Sequence, residues 1–137
     1  MKAIIYNSFS KNRRSEAIAK SFEGDVFEIR PNKRIKSTAM QMFFYGYATV
    51  FKKKMKYTID EIDFDKYDEI VLVSPVWAGR INAYTRQFIV DHPFHDKKVT
   101  IIGSCDGGYA NYFASFEAIL TGNEIIDTIM YVKGELV

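Results

Sequence analysis

Short apolar runs alternate along the chain with stretches in which apolar residues recur every three or four positions. Lys2-Ala3-Ile4-Ile5-Tyr6 is apolar and rich in β-formers, which predicts a first strand, and the polar residues 7–12 behind it predict a loop. From Arg13 onward, Ala17, Ile18 and Phe22 share one helical face, with Gly24 as a stop. Val26, Phe27 and Ile29 predict a second strand, closed by Pro31-Asn32. Met40, Phe43, Phe44, Tyr47 and Phe51 recur at helical spacing and predict a helix over 38–55 with an aromatic core face. Glu69-Ile70-Val71-Leu72-Val73 has no alternation, the mark of a strand buried on both faces, and Pro75 ends it. Ala83 to Val90 predicts a short helix and Lys98 to Gly103 another buried strand. Ala110 to Leu120, with Phe113 and Phe116, predicts a helix stopped by Gly122. Ile125, Ile126, Ile129, Met130 and Val132 supply a last strand.

Strands and helices therefore alternate as β-α-β-α-β-α-β-α-β. That order implies an α/β fold: a parallel, doubly wound, five-stranded sheet with helices on both faces, in three layers. A chain of 137 residues is expected to form a single domain, 1–137. The lone cysteine, Cys105, excludes an internal disulfide framework and a multi-cysteine zinc site. No apolar run approaches a membrane span, and Met1-Lys2 leads directly into a strand rather than a leader. The expectation is a soluble, cytoplasmic protein, monomeric or dimeric, with no nucleic-acid partner. The net charge of +2 conceals an asymmetry: residues 1–57 hold 13 Lys/Arg against 4 Asp/Glu, and residues 58–137 hold 6 against 13. Such a polar molecule orients on an anionic partner at low salt.

In an open parallel sheet, ligands bind beyond the carboxyl ends of the strands. Three loops fall there. Ser8-Phe9-Ser10-Lys11-Asn12-Arg13 offers hydroxyls, an amide and backbone N–H groups at a helix start, which suits an anion such as phosphate. Pro75-Val76-Trp77-Ala78-Gly79 carries the only tryptophan, suited to stacking on a flat heteroaromatic ring. Cys105-Asp106-Gly107-Gly108-Tyr109 exposes backbone groups able to hydrogen-bond a polar ring edge, and Tyr109 or Tyr112 suits the other ring face.

These residues resemble those of a known family. Tyr6-Asn7-Ser8-Phe9-Ser10-Lys11-Asn12-Arg13 is similar to the flavodoxin phosphate loop. Tyr67 through Val73, followed by Ser74-Pro75-Val76-Trp77-Ala78-Gly79, resembles the third strand and following loop of small flavodoxin-like flavoproteins. The aromatic, Lys-rich stretch 43–56 resembles their second helix. The likeness implies a strand order of 2-1-3-4-5 and non-covalent FMN. It further implies electron transfer, as a redox carrier or small oxidoreductase serving a partner protein or a small-molecule acceptor. By position, Ser8, Ser10, Asn12 and Arg13 become phosphate contacts, with Lys11 giving backbone. Pro75 to Gly79 become isoalloxazine contacts. Cys105, Asp106, Gly107, Gly108 and Tyr109 meet the pyrimidine edge and outer ring face. Lys11 stands where the family has glycine, and Arg13 where it has threonine. Those two departures motivate an alternative, a flavodoxin-like domain without FMN that serves as a binding module.

Other chemistries lack their residues. A phosphoacceptor domain needs acidic residues where Asn7-Ser8 and Ser74 stand. Dinucleotide, Walker and nucleophile-elbow motifs are absent from the sequence. His92 and His95 precede the fourth strand and are expected at the opposite end of the sheet from Cys105, against a Cys–His pair or a zinc site.

Overall fold

The apolar run at the start of the chain is β1 (Lys2–Tyr6), and it lies inside the sheet rather than at an edge. The computed structural model describes residues 1–7, 14–31, 56–76, 79–105, 107–109 and 111–137. On one side of β1 is β2 (Asp25–Glu28), reached through helix α1 (Arg14–Lys20). The predicted second strand is split, because Arg30–Pro31 turns away as β3 to pair antiparallel with β4 (Tyr57–Thr58). Proline is tolerated in so short a pair, which has no inner ladder to interrupt. The helix expected over 38–55 lies outside the described residues.

On the other side of β1 comes β5 (Glu69–Pro75), entered through a 3-10 turn at Phe64–Lys66. Helix α2 (Ala83–Asp91) leads to β6 (Lys98–Cys105), and α3 (Tyr112–Glu117) leads to β7 (Glu124–Val132). The parallel strands thus stand in the expected order, 2-1-3-4-5 when only they are counted. Both inner strands run two residues past their predicted ends, so Pro75 closes β5 from within its last pair with Ser104. Helix α3 is shorter than the predicted 110–120.

Like β4, a strand at the end of the chain was not predicted. β8 (Glu135–Leu136) folds back antiparallel on β7, pairing Val132 with Glu135, and makes the sheet six-stranded. Lys133 (φ 52) and Gly134 (φ 83) between them form the two-residue turn whose twist matches paired strands.

Successive residues of β1 and β5 alternate between two cores. Ala3, Ile5, Ile70 and Leu72 join Phe88 of α2 and Tyr112 and Phe116 of α3. Ile4, Tyr6, Val71 and Val73 join Ala19 of α1 on the opposite face. Burial on both faces is why β5 reads as an unbroken apolar run. β7 at the edge is looser, with Ile126 exposed. Among the described residues, no helix is long and apolar enough to cross a membrane.

Candidate functional site

The sheet grows from β1 in two directions, toward β2 and toward β5, and the carboxyl ends of β1 and β5 are the switch point at which open sheets of this kind take ligands. The backbone there is closely held. Asn7 N–H donates to the Val73 carbonyl at 3.2 Å, and Ile29 N–H to the Tyr6 carbonyl at 2.7 Å. Val76 N–H donates to the Ser104 carbonyl at 3.0 Å, which extends the β5–β6 ladder by one bond.

Polar side chains are buried under this end. Asn7, Ser74 and Asn82 are fully buried, with Thr85 and Ser104 nearly so. Asn82 caps α2, its Oδ1 accepting from Thr85 N–H at 3.0 Å. Ser74 Oγ and the Tyr112 hydroxyl share a 2.6 Å hydrogen bond, and the Ile102 carbonyl lies 3.2 Å from the same phenol. Burial drives the Tyr112 phenol far above its ordinary pKa; the Ser74 bond opposes this only in part. Tyr112 therefore stays neutral and acts as a hydrogen-bonding strut.

The described part of the second loop is tied to α3. Gly79 has φ 72, a conformation that suits glycine, and its carbonyl accepts from Asn111 N–H at 2.9 Å. Ile81 N–H donates to Ser115 Oγ at 2.8 Å. The third loop turns under the Cys105 thiol, which donates to the Gly107 carbonyl at 3.3 Å. Tyr109 packs edge-on against Phe113, with ring centroids 6.4 Å apart. Gly107 and Gly108 are informative because packing does not demand them. A Cβ on Gly103 would strike Met130 and Tyr112 at 2.6 and 2.7 Å, whereas one on Gly107 or Gly108 meets nothing within 4 Å. Neither has a positive φ. What two adjacent glycines leave is bare backbone at the rim, open to the flat edge of a ligand.

Of the expected site residues, Pro75 ends β5 and is followed by Val76 and Gly79, and Cys105 ends the neighbouring β6 and is followed by Gly107, Gly108 and Tyr109. Ser8, Ser10, Lys11, Asn12, Arg13, Trp77, Ala78 and Asp106 lie outside the described residues. Tyr112, expected as an alternative to Tyr109 over the ring, is instead fully buried beneath the site, and the sequence assigns no role to Ser74, Asn82 or Thr85. Only Asn82 carried a signal, an Asn directly before a helical pattern. His95 sits at the far end of the sheet, against Gly122 before β7, and His92 packs on Phe88 and Tyr57. Among the described residues, no cluster of His, Cys, Asp or Glu is arranged to hold a metal ion.

Solved structures share this architecture along nearly the whole chain. A flavoprotein from Lactobacillus acidophilus NCFM, crystallised in complex with FMN, superposes with a TM-score of 0.78 at 18% identity, covering 94% of this chain and 91% of that one. The chain has a flavodoxin-like fold. A candidate flavoprotein from Bacteroides eggerthii DSM 20697 is similar at TM-score 0.79 and 15% identity, covering 94% and 86% of the two chains. Another from Bacteroides uniformis ATCC 8492 is similar at TM-score 0.74 and 16% identity, covering 97% and 92%. No protein-family model and no curated protein matches this flavodoxin-like chain.

Proposed function

We propose that residues 1–137 form one flavodoxin-like domain that binds FMN non-covalently and works in electron transfer, as a redox carrier or small reductase. The observation that carries the reading is the bare Gly107-Gly108 backbone, which follows β6 at the carboxyl end of the sheet, where Ser104 pairs with Pro75 of β5. An FMN complex on the same fold supports it. In this reading Ser8, Ser10, Asn12, Arg13 and the Lys11 backbone hold the phosphate. Pro75, Val76, Trp77, Ala78 and Gly79 line the isoalloxazine. Cys105, Asp106, Gly107, Gly108 and Tyr109 meet its pyrimidine edge and outer face. FMN held there would supply reversible one- and two-electron chemistry, and these residues would orient it and exclude water. In this reading the protein would serve a redox partner protein or a small-molecule acceptor.

Titration with FMN and with riboflavin, followed by flavin fluorescence and by Trp77 emission, tests the reading. FMN binds, riboflavin binds far less well, and Trp77 emission is quenched. Charge-assisted hydrogen bonds contribute about 1.5–3 kcal/mol, so Ser10→Ala weakens FMN by about ten-fold or more. A protein that takes up no FMN overturns the reading in favour of a flavin-free binding module.

A further inference from the structure

The buried polar cluster at the site holds more hydrogen bonds than a helix cap requires. A cap needs one acceptor, which Asn82 Oδ1 provides to Thr85 N–H. The same Oδ1 accepts from Asn7 Nδ2 at 2.9 Å. Asn82 Nδ2 donates to the Pro75 carbonyl at 3.1 Å. The Thr85 hydroxyl lies 3.2 Å from Asn82 Oδ1 and 3.3 Å from Asn7 Oδ1, so its single proton serves either. These residues are at most 2% exposed. They connect the end of β1, the end of β5 and the start of α2.

We propose that Asn7, Asn82 and Thr85 are positioning residues, a buried clasp that fixes the spacing between two halves of a ligand site. One half begins directly after Asn7; the other begins at Pro75. The inference rests on the FMN reading above. The phosphate and ring of FMN are joined by a covalent chain of limited reach, so the segments that bind them must stand at a set distance. The strand ladder supplies that distance only as far as Tyr6 and Val73, plus one bond from Asn7 N–H. Past those bonds the side chains of Asn7, Asn82 and Thr85 carry the connection on to the Pro75 carbonyl. Its members are buried amides and a hydroxyl in mutual contact, so opening one link leaves the others without partners.

Two substitutions open different links. Asn82→Asp keeps the acceptor oxygen, and with it the cap and the Asn7 link, while a carboxylate suits a helix N-terminus. Its second oxygen takes the place of Nδ2, which lies 3.1 Å from the Pro75 carbonyl and 3.5 Å from Asn7 Oδ1, and it repels both. Asn7→Ala cuts the link to β1. Flavin affinity is measured for the wild type, both single variants and the double variant. Asn7→Ala weakens FMN by about ten-fold more than it weakens riboflavin. Asn82→Asp, which uncouples the same two halves, also weakens FMN by about ten-fold more than it weakens riboflavin. The double variant is no weaker than the poorer single, since a clasp opens once. Additive losses, or lower melting temperatures with unchanged affinities, overturn the proposal.

A second measurement needs no flavin. In the ligand-free protein, Asn7→Ala speeds hydrogen exchange at the Val76 amide, which Asn7 does not touch and which is tethered through Pro75. Unchanged exchange there overturns the clasp. If the wild type binds no flavin but the Val76 amide responds, the FMN reading fails and the clasp stands.

Discussion

Two phenols illustrate how single residues hold this end and the flank of the sheet. Tyr112 is fully buried, and Tyr112→Phe leaves Ser74 Oγ without its 2.6 Å partner. An unpaired buried hydroxyl costs about 1–3 kcal/mol, which urea denaturation reads directly. Tyr67 donates to Asp25 Oδ2 at 2.6 Å, a bond that ties the entry of β5 to the start of β2. That bond to a carboxylate, then burial, pushes the Tyr67 phenol up to about 12. A pKa raised in the folded state adds stability that is complete below the unfolded value, about 10, and is lost as pH rises through the folded one. Between those limits the wild type therefore loses stability more steeply than Tyr67→Phe. Denaturation midpoints across the alkaline range check it, and parallel profiles would contradict it.

At the scale of elements, Gly79 is the tightest constraint on the second loop. Alanine at its φ of 72 costs about 1–2 kcal/mol, and it strains the loop whose carbonyl is held by Asn111. Gly79→Ala is thus expected to lower the melting temperature and to weaken FMN and riboflavin together, as paired titrations would reveal. The long elements were legible because burial writes a pattern. β1 and β5 feed a core on each face, and the helices carry apolar residues at helical spacing. β3, β4 and β8, two residues each, are too short to carry a period. The β7–β8 turn was missed because lysine, rather than Asn or Asp, stands before Gly134.

At the scale of the molecule, the site is where chain topology and polar burial meet. The sheet reverses about β1, and that reversal sets the switch point between loops far apart in sequence. Alternation of elements revealed the fold class, and the carboxyl-end rule picked out the loops. Neither revealed the Asn7–Asn82–Thr85 network, because its partners are 75 and 78 positions apart and no local pattern links them. The same holds for Ser74 and Tyr112, 38 positions apart. Composition speaks of such residues only as polar, and folding alone decides that they meet.

The β7–β8 hairpin has a consequence for how copies of this protein behave in a crowded solution. An unpaired strand edge is a template on which another chain adds, and proteins blunt it with charge or cover. Along β7 the two devices divide the work. Glu124 and Asp127 mark the half that β8 leaves open, while Met130, Tyr131 and Val132 form the apolar half that β8 and the Val137 amide cover. Removing residues 134–137 uncovers that apolar half and keeps the Lys133 amide on the Cys105 carbonyl, so the third loop retains its tether. The truncated protein is expected to self-associate with rising concentration, visible as growing light scattering, while dilute samples keep their flavin affinity. A truncated chain that stays dispersed at high concentration would mean that the acidic half protects the whole edge.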